Sequence, residues 1–271
     1  MNKRGQVTIF LVVGIVLLFV SAGVYMVVNK SQTGSFILEE EESHFKTGVG
    51  APLVSFIENC IEERAVQGIE IVGLQGGFIF PTEDDVLLTE EILVGYVYKD
   101  NTKTIDKSFV ENELGVYVDL TLNDCIQDFT TFSHLYQVIE SGNFLVDDSV
   151  EDKEIVEIPF SFPSFTRTKI NDDIVKFNVE YPLEVTRGDD NFVLHNFIIT
   201  VPAKIGSALN IVAETVSSQT EKNTIDFNLL SSFEPLIKVF PFDEENTIYS
   251  LYYGEEQYPE MFLYAINNKN D

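Results

Sequence analysis

The sequence predicts an α+β fold: a single N-terminal transmembrane helix followed by an extracellular ectodomain of mixed helices and antiparallel sheet. Three observations carry that expectation. No charged residue occurs from Val7 to Val28. Two stretches of helical periodicity, one opening at Pro52 and one at Ser108, each place one of the two cysteines among apolar residues. Beyond residue 140 the pattern changes to runs of β-branched and aromatic residues. The chain therefore divides into a basic cytoplasmic leader (1–5), a transmembrane helix (6–29) and a stalk (30–51). A helix-rich α+β lobe holding a cysteine pair (52–140) and a strand-rich lobe (141–271) follow.

The uncharged run matches the roughly 20 apolar residues that cross a hydrocarbon core of about 30 Å. A secretory signal has an apolar core of only about 7–15 residues. Ser21-Ala22-Gly23 offers a small-residue cleavage site as the alternative. Lys3 and Arg4 precede the run, whereas Lys30 and then Glu39-Glu40-Glu41-Glu42 follow it. The excess of basic charge on one side places the N-terminus in the cytoplasm and the C-terminal part outside the cell. The lipid bilayer is thus the expected partner of residues 7–28, in a single-pass protein of the cell membrane.

The net charge is −27, and every acidic residue lies after residue 30. Such a surface repels nucleic acid and anionic headgroups, so neither is an expected partner. Most of the acids read as a solvated surface. Hydrophobic residues make up 45 % of the chain and include 22 Phe, enough for a substantial core. In an oxidising exterior an isolated cysteine pair reads as a disulfide. Cys60 and Cys125 fit that reading because both sit on apolar helix faces; two buried free thiols are the other reading.

Pro52 suits a first helical turn, and Leu53, Phe56, Ile57, Cys60 and Ile61 follow a 3.6 period. Gly68 or Gly73 is the expected stop, with Gly76-Gly77 turning into Phe78-Ile79-Phe80. Those glycines lack the Lys and hydroxyl residue of a phosphate loop. Ile92–Tyr98 reads as a strand. Ser108 and Glu111 form a capping-box pattern before a stripe of Val110, Leu114, Val118, Leu122, Cys125, Ile126 and Phe129. Ile155–Phe162, Ile174–Tyr181 and Phe192–Val201 read as strands, with Arg187–Asn191 as a hairpin turn. Ala203–Ser218 reads as a third helix. Leu236–Phe242, Thr247–Tyr253 and Met261–Ile266 read as closing strands.

The residues assign no catalytic, cofactor or metal site. His44, His134 and His195 are scattered, with no HExxH pairing and no GxSxG elbow. Asp147–Asp152 and Glu83-Asp84-Asp85 lack the alternating spacing of a calcium loop. Arg187-Gly188-Asp189 is accounted for by its turn.

Lys3-Arg4-Gly5-Gln6, set directly against the apolar run, resembles the class III signal peptide of archaeal type IV pilin-like proteins. The resemblance implies cleavage between Gly5 and Gln6, with the apolar helix kept as an anchor or packed into a filament. Gln6 and Thr8 match that pattern, while Phe10 stands where the family has Glu, which bears on filament assembly. The wider chain resembles an uncharacterised family of membrane-anchored archaeal surface proteins. Phe56–Cys60, Gly73–Gly77, Glu111-Asn112-Glu113-Leu114 and Cys125 carry that likeness. That likeness brings no known activity with it; with the anchor, the acidic ectodomain and no catalytic motif, the expected function is a cell-surface structural or interaction protein without catalysis, whose partner is itself or another surface protein. The alternatives are a pilus-like filament subunit and an extracellular hydrolase.

Overall fold

The computed structural model describes residues 50–89, 92–140, 164–222 and 224–267. The leader with Gly5 and Gln6, the run 7–28, most of the stalk with His44, the acidic stretch 147–152 and the expected strand 155–162 lie outside the described residues.

Helix α1 spans Ala51–Leu74 and continues through Gly68. A Cβ at Gly68 would stand 2.9 Å from the Tyr117 ring, so the glycine lets a second helix close on this face. Gly76, at φ +64°, ends α1 in the left-handed region, and Gly77 N donates to Val72 O at 2.8 Å. A 3-10 turn then leads through strands β1 (Val86–Leu88), β2 (Leu93–Lys99) and β3 (Thr102–Lys103).

Helix α2 spans Lys107–Ile126 and buries Val110, Leu114, Val118, Leu122 and Ile126, most of the expected stripe. Its N-cap corrects the sequence reading. Asp106 accepts from Phe109 N at 2.8 Å, and Ser108 Oγ donates to the same carboxylate. Short polar side chains compete for this position, and the aspartate sits one residue before the first helical turn. A 3-10 segment, Gln127–Phe132, leads to β4 (Gln137–Glu140).

After β5 (Phe165–Ile170), β6 (Ile174–Arg187) and β7 (Asp190–Pro202) form one long hairpin turning at Gly188, φ +62°. Pro182, which cannot donate to the ladder, falls where the β6–β7 register shifts. Then come α3 (Ile205–Lys222), a single-turn α4 (Phe227–Leu230), β8 (Leu236–Pro241), β9 (Asn246–Tyr252) and β10 (Met261–Asn267).

The strands collect into two sheets. One has six strands in the order β1-β2-β10-β9-β8, with β3 also on β2; the other has four, with β4, β5 and β7 all pairing with β6. This corrects the expected fold class of α+β behind a single transmembrane helix. The described chain is mostly sheet with few helices, and among the described residues no helix is long and apolar enough to cross a membrane. The sheets are not purely antiparallel either, because β2 and β10 pair in parallel. Local pattern exposes helices more strongly than it exposes which distant strands will pair, so the weight of the sheets was underestimated.

Helix α2 packs on β5, where a Cβ at Gly115 would stand 2.7 Å from Thr166 O. Helix α3 lies against β6 and β10. Beneath it Tyr249 and Tyr264 stack with centroids 5.0 Å apart, and Tyr249 Oη donates to Gln219. Burial raises both phenols above their ordinary pKa. The turn after α1 presses on β2, leaving a Cβ at Gly95 only 2.2 Å from Gln75 O and 2.6 Å from Phe78. Gly95→Ala should therefore lower the unfolding free energy by about 2 kcal/mol or more, read as a lower denaturation midpoint.

Candidate functional site

Three features qualify as functional machinery: the cysteine pair, the carboxylates of α2 and an apolar groove beside β8.

Cys60 on α1 and Cys125 on α2 stand at disulfide distance, with Sγ atoms 2.08 Å and Cα atoms 5.7 Å apart. Both helices bring their apolar faces together there. Phe56 and Phe132 lie 5.2 Å apart between ring centroids, and Tyr117 Oη donates to Gln67 Oε1 at 3.4 Å. The pair clamps α1 to the element that carries β5.

The acids of α2 correct the reading of its charge as solvated surface. Glu113 is buried and accepts from Ile79 N at 2.6 Å and Phe80 N at 2.9 Å. Those are two donors that the chain leaves without a ladder partner as it departs from α1. Glu111 accepts from Ile170 N at 2.9 Å and pairs with Lys169. Asp119 is buried and accepts from Thr166 N, Thr166 Oγ1 and Ser164 Oγ at 2.9, 2.7 and 2.9 Å. Burial drives its carboxyl up to about 6, against the pull of those hydrogen bonds. The chemistry these groups perform is structural: each spends its lone pairs on backbone or hydroxyl donors of a neighbouring element. Glu113→Ala should cost about 2 kcal/mol by leaving two amides without an acceptor, measurable by urea unfolding.

The other sequence candidates are not brought together. His134 lies in the turn before β4, and His195 is exposed on β7. Among the described residues no group of three or more His, Cys, Asp or Glu is arranged to hold a metal ion. Asp85 is used locally, accepting from Thr82 N and Oγ1. The Arg187 guanidinium lies 5.7 Å over the Tyr136 ring, so the Arg-Gly-Asp turn is partly engaged with its own protein.

Sequence reasoning missed the groove. It is an open depression of about 680 Å³ between α4 with its following loop and the edge strand β8. Phe227, Leu230, Phe233, Leu236, Ile237 and Val239 supply its apolar lining, and Glu234 its charge. Phe227 is 66 % exposed and Leu236 58 %. Phe240 and Phe242 are also exposed, but Phe240 points to the opposite face of β8 from Ile237 and Val239. The signal was legible: Leu236-Ile237-Lys238-Val239-Phe240 is apolar at both alternating parities, a pattern suited to burial on two faces, yet β8 lies at a sheet edge.

No protein-family model matches the chain, and neither a curated protein nor a solved structure matches it.

Proposed function

We propose that this chain is a non-catalytic structural or interaction protein of the cell surface. It is attached to the lipid bilayer through residues 7–28, carries its C-terminal part outside the cell and is processed between Gly5 and Gln6. The observation that carries the reading is the cysteine pair at disulfide distance, Cys60 with Cys125. Such pairs persist in oxidising compartments outside the cytoplasm. The basic residues Lys3 and Arg4 before an uncharged run support the same orientation. The use of Glu113 and Asp119 as acceptors for neighbouring backbone and hydroxyl groups supports a structural role for the acids rather than a catalytic one.

The test is the N-terminal residue of the protein extracted from its own membranes. A chain starting at Gln6 is the expected result. A chain starting at Met1 removes the pilin-like processing from this reading, and a chain starting after Ser21-Ala22-Gly23 removes the membrane attachment as well.

A further inference from the structure

We propose that two copies of this chain join through the outer edge of β7, pairing antiparallel about a two-fold axis at Ile199, so that two four-stranded sheets become one. The proposal rests on the interaction reading and names a second copy as the partner.

Strand edges elsewhere in the molecule are closed. Strands β1, β3 and β4 are three, two and four residues long, and very short strands make poor templates. Pro235 and Pro241 bracket β8 without amide donors, and exposed Lys238 stands mid-strand. Helix α2 covers the free edge of β5, where Glu111 accepts from Ile170 N and Asp119 from Thr166 N, each at 2.9 Å. The eight residues between those acids rise about 12 Å along the helix, and the four between those amides about 13 Å along the strand, so the spacings match.

Strand β7 carries none of these devices. It is 13 residues long, and among the described strands β6 alone pairs with it. From Asn191 to Val201 it holds no Asp, Glu, Lys, Arg or Pro. Ladder geometry fixes which of its amides are open. Thr166 and Ile170 turn away from β6, so Val179 and Val175 opposite them turn towards β7. Their partners Phe197 and Val201, with Ile199 between, are therefore the β7 residues bonded to β6. Ile198 and Thr200 direct N–H and C=O outward, and among the described residues those amides have no acceptor. Both side chains are exposed, Ile198 at 57 %.

This edge is its own complement. With the axis at Ile199, Ile198 of each copy faces Thr200 of the other, and each symmetric pair exchanges both N–H···O bonds. Ile198 then lies beside Thr200 on one face, and the two half-buried Ile199 side chains meet on the other. Charge selects the same place. A net charge of −27 opposes self-association over most of the surface, and exposed charges are screened beyond about 10 Å at 0.1 M salt, so an uncharged edge is where two such chains can meet.

The full chain in density-matched detergent micelles would be followed by sedimentation and by amide exchange over a dilution series. The expected result is a dimer that dissociates on dilution, with the amides of residues 197–201 exchanging faster as it does. Ile198→Lys sets like charges across the axis, and Thr200→Pro deletes an amide that serves no bond within the chain. Each should weaken dimerisation about tenfold or more. Both side chains are exposed and neither amide belongs to the β6 ladder, so both variants should fold, as circular dichroism would check. A chain that stays monomeric overturns the proposal. So does a dimer that both variants leave intact, or one in which residues 197–201 exchange at the monomer's rate. Cross-linking on intact cells separates this failure from that of the parent reading. A monomer cross-linked to a different surface protein overturns the copy-to-copy pairing and leaves the interaction reading standing, whereas no cross-linked neighbour overturns both.

Discussion

Replacing Cys60 and Cys125 together by serine should lower the unfolding free energy by roughly 4 kcal/mol, the largest single effect expected in this molecule. The two residues are 65 apart in sequence, so an open pair frees a long loop in the unfolded chain. The loop-closure entropy of such a chain is what the bridge removes. In the folded state the loss is smaller than it would be for an isolated clamp. Leu114 and Tyr117 still pack against Gly68, and Phe56 still meets Phe132. The variant should therefore fold to the same structure and unfold at a much lower denaturant concentration. Chemical denaturation of the oxidised and serine proteins measures the difference. A change below about 1 kcal/mol would mean that the unfolded chain is already restrained, or that the pair is not closed in the protein.

Asp119 carries the second large effect. Asp119→Ala should cost about 3 kcal/mol, because it strips the acceptor from Thr166 N, Thr166 Oγ1 and Ser164 Oγ inside the α2–β5 contact. Asp119→Asn should cost clearly less. Its carbonyl can still accept from Thr166 N, and the two hydroxyls can turn to accept from its amide. The same residue gives the molecule a specific pH dependence. Its carboxyl lies at about 6 when folded against an ordinary value of 3.8, so the folded state binds more protons between those values. Its contribution is complete below about pH 3.8, falls as the pH climbs towards 6 and is level above that. The stability of the native protein minus that of Asp119→Asn should accordingly decline across this window by an amount on the order of 3 kcal/mol. Taking the difference cancels the other carboxylates. A difference that rises with pH, or stays flat, would show that the hydrogen bonds outweigh burial at this site.

Local elements were largely legible because their signals are local. The 3.6 period of Val110, Leu114, Val118 and Leu122, and the alternation along β6 and β7, follow from which face each residue buries. The turn at Gly188 follows from backbone that needs positive φ, as does the end of α1 at Gly76, which lies beyond the stop expected at Gly68 or Gly73. What failed depended on distant partners. Glu111 looked like the reciprocal half of a capping box with Ser108, but it answers Ile170 N across the α2–β5 contact, and Asp106 caps the helix instead. Gly68 looked like a helix stop, but it is the small residue that admits Tyr117. Glu113 and Asp119 looked like solvated charge because nothing nearby in sequence shows the amides they meet. The parallel pairing of β2 with β10 joins residues that α2 and the second sheet separate, and no periodicity records it. Gly5 and Gln6 remain legible only as a leader motif.

The claim on which most of this account turns is that the chain lives oxidised, outside the cytoplasm, with its two cysteines joined. The most direct measurement is the intact mass of protein taken from its own membranes and denatured in alkylating reagent, with and without prior reduction. The account predicts no alkyl groups without reductant and two after it, on Cys60 and Cys125. Two alkyl groups without reductant would contradict it, separating α1 from α2 chemically and removing the observation on which the cell-surface proposal rests.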